Sequence, residues 1–282
     1  MTNNPDINDN RNNWDDRANV HVDGGYGDLN AFIKDPQSIS ATVKHDLKVL
    51  APHLPDQSVK GRKLLHLQCH IGTDTLSWWR LGAVQVHGID FSSNSLKYAD
   101  EIAERAGADI TYIQSDVRYA AQAMPKYHHY FDVIVTSVGT ITWLPDLQDW
   151  ADSIAYLLAP GGVFMIRDDH PFLFTLNNDG LAITQNYFSG TEISYDSDAS
   201  YTAGSKGKIQ HTHNHNWAHD FQEITSVLLK AGLTIESLGE YQTSDWKALS
   251  MLTFDPKEEF WRMPEGLPKI PLTFSLIARK PR

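Results

Sequence analysis

The chain has 282 residues, 41% hydrophobic and 21% charged, the balance of a soluble globular protein with apolar material for a sizeable core. Its 24 Lys and Arg against 35 Asp and Glu give a net charge of −11, which argues against a nucleic-acid partner, because phosphate contact wants a basic surface. One cysteine, Cys69, excludes an internal disulfide, and the start MTNNPDINDN lacks the apolar core of a signal peptide. No run approaches the roughly 18–20 apolar residues of a membrane span, so the expectation is a cytoplasmic protein with no membrane partner.

Residues 1–60 read as an N-terminal helical cover. WDDRANVH suits a short helix, and SISATVKHDLKVLAPHL a second, with Ile39, Val43, Leu47 and Leu50 at helical spacing and Pro52 and Pro55 closing it. From Lys63 short apolar runs alternate with amphipathic segments, the pattern of βαβ units and a parallel sheet. The spacing predicts strands at 64–68, 84–89, 110–114, 131–137 and 162–168, with helices near 73–82, 93–106 and 146–158. Ser93 or Asn94 suits the cap of the second of these helices, and Pro160-Gly161-Gly162 the end of the third. After Asp168 the rhythm breaks: residues 170–217 read as hairpins or a long excursion of the kind that serves as a lid or binding element. A helix is expected over 218–232, strands over 233–241 and 271–280, and an irregular segment over 245–268. The reading is one α/β domain, doubly wound, over 61–282, with insertions at about 170–217 and 245–268.

In such sheets ligands bind beyond the carboxyl ends of the strands, near the point where strand order reverses. The loop after the first strand, Gln68-Cys69-His70-Ile71-Gly72, is therefore the first place to look, with Gly72 where a tight turn or a close approach is needed. Eighteen residues on, Asp90 ends the second strand, where a carboxylate can accept from both hydroxyls of a ribose. Asp116 ends the third and offers a second acceptor.

The run from about Leu64 to Asp169 resembles the core of class I S-adenosylmethionine-dependent methyltransferases. The pieces LLHLQCHIGTDTL, GIDFS, QSDV, FDVIVTSVGTITWLPD and LLAPGGVFMIRDDHP come in that family's order and at its separations. The glycine-rich loop departs from the family's pattern: His66, Gln68, His70 and Gly72 stand at the four conserved places, and the L-Q-C-H-x-G form resembles a bacterial small-molecule subgroup. The resemblance implies a seven-stranded, Rossmann-like, mostly parallel sheet whose last strand is antiparallel. It also implies S-adenosylmethionine as cofactor and a small-molecule methyl acceptor. By the same resemblance Gln68 and Gly72 line the cofactor's amino-acid end, with Gln68 and His70 replacing backbone contacts by side-chain hydrogen bonds; Asp90 takes the ribose, Phe91 borders the adenine, and Asp116 with Val117 reads the adenine edge. Ser137 and Gly139 face the sulfonium and the acceptor, and Trp14 and Arg17 close the pocket from the N-terminal helix. Trp14 and Trp143 are candidates for the aromatic face beside the sulfonium, with core tryptophans as the alternative.

Four further features carry weaker signals. His170, at the mouth of the site, suits a general base near neutral pH, or a hydrogen-bonded turn histidine. His211, His213 and His215 alternate and share one face of a strand, but no carboxylate or cysteine spacing supports a metal, so a substrate-facing strand or solvated hairpin is read and no metal is expected. Cys69 reads as a buried structural thiol. Phe172, Phe174, Tyr187, Phe188, Tyr195, Tyr201, Trp246 and Trp261 suggest a partly aromatic acceptor cavity. Two other functions stay open from sequence: a non-catalytic nucleoside-cofactor binder, and a nicotinamide-dependent oxidoreductase, against which the missing G-x-G-x-x-G loop counts.

Overall fold

The computed structural model describes residues 4–202 and 207–282; residues 203–206 of the predicted excursion lie outside the described residues. In chain order the elements begin with three helices, α1 (Pro5–Val20), α2 (Leu29–Lys34) and α3 (Ala41–Leu50). There follow β1 (Lys63–Leu67), α4 (Thr73–Arg80), β2 (Val84–Asp90), α5 (Ser93–Ala106), β3 (Ile110–Gln114), α6 (Ala120–Ala123), β4 (Phe131–Ser137), α7 (Gln148–Leu157) and β5 (Leu158–Asp169). The remainder comprises a hairpin, β6 (Glu192–Asp196) and β7 (His213–Trp217), then α8 (Phe221–Lys230) and β8 (Thr234–Tyr241). Three short strands, β9 (Thr243–Ser244), β10 (Thr253–Asp255) and β11 (Phe260–Arg262), precede the last, β12 (Thr273–Arg279).

Seven strands form one sheet in the order β3-β2-β1-β4-β5-β12-β8. The five strands from β3 to β5 are parallel, and β12 runs antiparallel between β5 and β8. Strand order reverses between β1 and β4, so the crevice over their carboxyl ends is the expected ligand position. Side chains alternate through the sheet. Leu65 and Leu67 meet Trp150 and Ile154 of α7 and Leu228 of α8 on one face, whereas Leu64, Val133 and Met165 meet Val43 and Leu50 of α3 and Trp78 of α4 on the other. Burial on both faces explains why these strands read as continuous apolar runs.

Two expectations change in detail. Pro160-Gly161-Gly162 does not end α7, which stops at Leu157; the turn lies inside the irregular start of β5, where Gly161 N–H donates to the Lys280 carbonyl. The 245–268 segment is not irregular throughout: its β10 and β11 form a small antiparallel sheet with β9, which just precedes it. Leu249, Leu252 and Met263 of that segment pack against Leu173 and Leu176 of the 170–217 excursion. No described helix is long and apolar enough to cross a membrane.

The N-terminal helix is longer than its sequence suggests, and it is held by hydrogen bonds more than by apolar contact. Asn4 caps it, accepting from Asp6 N–H at 2.9 Å, and Pro5 starts it, where its missing N–H costs nothing. Asn10 and Asn13 are fully buried. The Asn10 amide pairs with both backbone groups of His215 (2.8 and 2.9 Å), closing the free edge of β7, and Asn13 donates to the His211 carbonyl at 2.6 Å. Asp16 accepts from the N–H groups of Gln210 and His211, both at 2.7 Å. On another flank, Asp15 accepts from Ser92 Oγ (2.6 Å) and Asn94 N–H (3.0 Å) at the amino end of α5, where a negative charge is favoured by the helix dipole.

Asn10→Ala strips two partners from a buried backbone pair, at a cost of about 1–3 kcal/mol. Amide exchange in residues 5–20 should accelerate while the central strands keep their protection; unchanged exchange across α1 would show that its docking does not rest on Asn10.

Candidate active site

The loop after β1 keeps a glycine-type backbone without the glycines. Gln68 (φ 51°), His70 (φ 47°) and Gly72 (φ 76°) all lie in the left-handed region, which costs a side-chain-bearing residue roughly 1–2 kcal/mol. Local bonds offset this at the first two. Gln68 Nε2 donates to the Thr140 carbonyl at 2.9 Å, and His70 N–H donates to Asp90 Oδ2 at 2.9 Å. The His70 ring is clamped between His21 Nδ1 (2.7 Å) and Ser95 Oγ (2.9 Å). Burial, and then the nearby charge of Arg17, hold both histidines neutral: His21 is pushed down to about 3, and His70, which also feels His21, falls well below the usual imidazole range.

Gly72 has a packing role. A methyl group there would collide with the Tyr112 hydroxyl and lie 2.8 Å from Ala99 Cβ, so its bare Cα serves the close packing of the loop against α5 and β3.

The strand ends place the remaining candidates. Asp90 is buried and accepts from His70 N–H and Ser92 N–H, both at 2.9 Å, leaving lone pairs on each oxygen; burial pushes its carboxyl up to about 6. Ser92, not the expected Ser93 or Asn94, caps α5 through Ser95 N–H at 3.0 Å. Phe91 is half-buried beside it, its carbonyl accepting from Gln114 Nε2. Asp116 is engaged elsewhere: Arg118 Nη2 reaches it at 2.7 Å, Arg118 Nε at 3.1 and 3.2 Å, and Arg118 N–H at 3.0 Å. Its carboxylate is saturated by turn chemistry and an ion pair, which removes it as the reader of an adenine edge, and the Val117 side chain is buried in the core.

Beyond β4, Ser137 Oγ donates to Asp46 Oδ2 of α3 at 2.5 Å. Gly139 (φ 75°) belongs to a loop wrapped around Asp168, whose carboxylate accepts from the N–H groups of Gly139, Thr140, Ile141 and Asp169 and from Thr140 Oγ1. Asp169, the next residue, turns the other way: its oxygens receive Trp246 Nε1 at 3.0 and 3.1 Å, and a methyl group placed on Gly139 would sit 3.6 Å from Oδ2. Burial, and then the charge of Asp168, raise the Asp169 carboxyl well above the ordinary range.

Below this edge lies a buried charge network. Arg167 donates to Asp46 Oδ1 at 2.6 Å and to both oxygens of Asp245, and His45 Nδ1 lies 3.0 Å from Asp245. Burial works against the ionised form of Asp245, and Arg167 and His45 nevertheless bring it down to about 2.

His170 is not placed as a base. Its Nδ1 accepts the Phe172 N–H at 3.0 Å, which fixes the proton on Nε2, 2.9 Å from Glu240 of β8. With its acceptor nitrogen used in its own turn and its ring against Phe221, it is the turn histidine of the two alternatives.

Trp14 and Arg17 project from α1 over the β1–α4 loop. The Trp14 ring meets His70 at 5.1 Å and Trp143 at 5.2 Å, edge to face, and Trp143 Nε1 donates to the Gly139 carbonyl. Tyr201 continues the aromatic wall between His21 and Trp246. Of the other aromatics expected there, Phe172 and Trp261 pack into the apolar cluster of the insertions, and Phe188 is 75% exposed. The Arg17 guanidinium is 5% exposed, donates through Nε to Asn13 Oδ1 at 2.6 Å, and has no carboxylate within ion-pairing distance among the described residues. Gln68 Oε1 is likewise buried without a hydrogen-bond partner among the described residues. A buried cation without an anion is costly, and so is a buried acceptor without a donor.

Sequence reading passed over Asp46, Asp169, Asp245, Asn10 and Asn13. Asp46 did carry a signal, since with Val43 and Leu50 it falls at i, i+3 and i+7 on the apolar stripe of α3.

Residues 64–162 match a protein family described as "Methyltransferase domain". The "Ubiquinone biosynthesis O-methyltransferase" of Vibrio cholerae serotype O1 is 36% identical over 119 residues, 42% of this chain and 44% of the relative. The chain thus matches about half the length of such curated relatives. Among solved structures, an S-adenosylmethionine-dependent methyltransferase of Mesorhizobium loti has a TM-score of 0.56 at 22% identity, covering 84% of this chain and all of the other. The [4+2]-cyclase SpnF has a TM-score of 0.51 at 14% identity, over 88% and 84% of the two chains, so the likeness is one of fold. Residues 64–162 thus match a methyltransferase-domain family, and the chain has the fold of the class I S-adenosylmethionine-dependent methyltransferases.

Proposed function

We propose that this protein transfers a methyl group from S-adenosylmethionine to a hydroxyl of a small molecule. The observation that carries the reading is Arg17: a buried guanidinium with no carboxylate partner among the described residues, held above the crevice where strand order reverses. The cofactor fits this donor set. Arg17 would hold its carboxylate, the orphan Gln68 Oε1 would accept from its ammonium, and the free lone pairs of Asp90 would accept from its ribose, with Phe91 at the adenine. When bound, S-adenosylmethionine supplies an electrophilic methyl group on a sulfonium.

The chain's own contribution is placement and exclusion of water. Residues 1–60, through α1, act as a cover that seats Trp14 against His70 and Trp143, and aromatic faces beside a sulfonium are favourable by about 0.5–2 kcal/mol. Ser137 and Gly139 shape the floor at the end of β4, and the excursions at 170–217 and 245–268 supply Tyr201 and Trp246 as walls. A hydroxyl acceptor must lose a proton, and Asp169 is the carboxyl at that edge whose position suits the task, in place of His170. The name of the Vibrio cholerae relative supports oxygen as the acceptor atom.

Calorimetry should give micromolar binding of S-adenosylmethionine and S-adenosylhomocysteine, weakened at least tenfold by Arg17→Met and by Asp90→Asn, as loss of a charged hydrogen bond worth about 1.5–3 kcal/mol implies. Absence of heat with the wild-type chain would sink the reading. With a panel of small phenols and alcohols, release of S-adenosylhomocysteine should rise with pH as Asp169 gives up its proton above the ordinary carboxylate range. Asp169→Asn should lower kcat by about 100-fold or more and flatten that rise; an unchanged profile would remove Asp169 from the reaction.

A further inference from the structure

We propose that His213, His215 and Asp9 form a site for one divalent transition-metal ion that staples α1 to the β6–β7 hairpin. The inference is independent of the methyl-transfer reading. His213 and His215 alternate on β7 and share a face, with ring centroids 4.7 Å apart. Register brings Asp196 opposite His213 and Ser194 opposite His215, so the acids of β6 stand on that same face. His215 Nδ1 lies 2.8 Å from Glu192, and His213 Nδ1 lies 3.3 Å from Asp196. A carboxylate on Nδ1 fixes the proton there and leaves Nε2 as a lone-pair donor, the arrangement that orients imidazoles toward metals.

The third donor comes from some 200 residues away in sequence. Asp9 Oδ2 lies 3.4 Å from His215 Nε2, with Asp6 Oδ1 beyond it at 3.9 Å. One ligand atom each from Asp9, His213 and His215 lie within 4.8 Å of one another. Bonds of about 2.0–2.2 Å to a common centre place tetrahedral donors about 3.4 Å apart, so a modest contraction closes the site. Two imidazoles and a carboxylate suit zinc, cobalt or nickel rather than calcium or magnesium. Asp6 and Glu192 add negative charge around the same imidazole, which a bound cation offsets. The side chains of Asp9 and His213 are 45% and 47% exposed, which leaves an entry path and room for water as a fourth ligand.

The test uses the untagged full chain after EDTA treatment. Calorimetry with zinc chloride should give one ion per chain at micromolar affinity or tighter, and cobalt(II) should develop visible d–d bands. His213→Asn and Asp9→Asn, both at partly exposed positions, should each weaken binding at least tenfold and abolish the cobalt bands. Asp196→Asn should cost about tenfold, and the melting temperature of every variant in EDTA should match wild type. No saturable binding, or binding unchanged in the His213→Asn/Asp9→Asn double variant, would overturn the proposal.

Discussion

The position of α1 is the constraint on which the rest of the site depends. Its sequence, PDINDNRNNWDDRANV, is polar on nearly every face, yet Asn10, Asn13, Arg17, Ala18 and Val20 are buried. Apolar burial is non-directional and would let such a helix slide. Hydrogen bonds to the backbone of 210–215 on one flank and to the amino end of α5 on the other fix both its rotation and its axial position. The third flank carries Trp14 and Arg17, with His21 in the turn that follows, over the β1–α4 loop.

That loop interlocks with the helix. In a glycine-rich version the backbone takes left-handed conformations freely and no side chain holds it in place. Here Gln68 and His70 take the same conformations, and each uses its side chain to reach a neighbour. His70 is tied to the segment after α1 through His21 and to α5 through Ser95, so loop, N-terminal segment and helix are one hydrogen-bonded unit. Neutral imidazoles are what burial favours at this junction, since each can then donate at one nitrogen and accept at the other.

On the far side of the crevice, two adjacent aspartates have opposite parts. Asp168 is consumed by four N–H groups and a hydroxyl and moulds the loop after β4. Asp169 receives, among the described residues, only the Trp246 indole N–H, and it faces Gly139. Alternation along β5 and the loop wrapped around one of the two carboxylates separate their environments.

By itself the sequence determined the βαβ rhythm, the strand bounds to within a few residues, the cap region of α5 and the crevice over β1 and β4, because local periodicity and turn chemistry encode those features directly. The place of Asp90 at the end of β2 was legible for the same reason. Only the tertiary structure decided which carboxylates are spoken for. Asp116 is drawn off by Arg118, and Gly72 by the packing of Tyr112 and Ala99, neighbours no spacing rule reveals. The partners of His170 and Asp169 were hidden for a similar reason: what each touches depends on β8 and on Trp246, some 70 residues downstream. The histidines of β7 lacked any carboxylate at short spacing, and folding brings Asp9 of α1 to them. Periodicity reports which face a residue takes, whereas hydrogen bonds and charges are settled by whatever that face meets, and here the partners come from opposite ends of the chain.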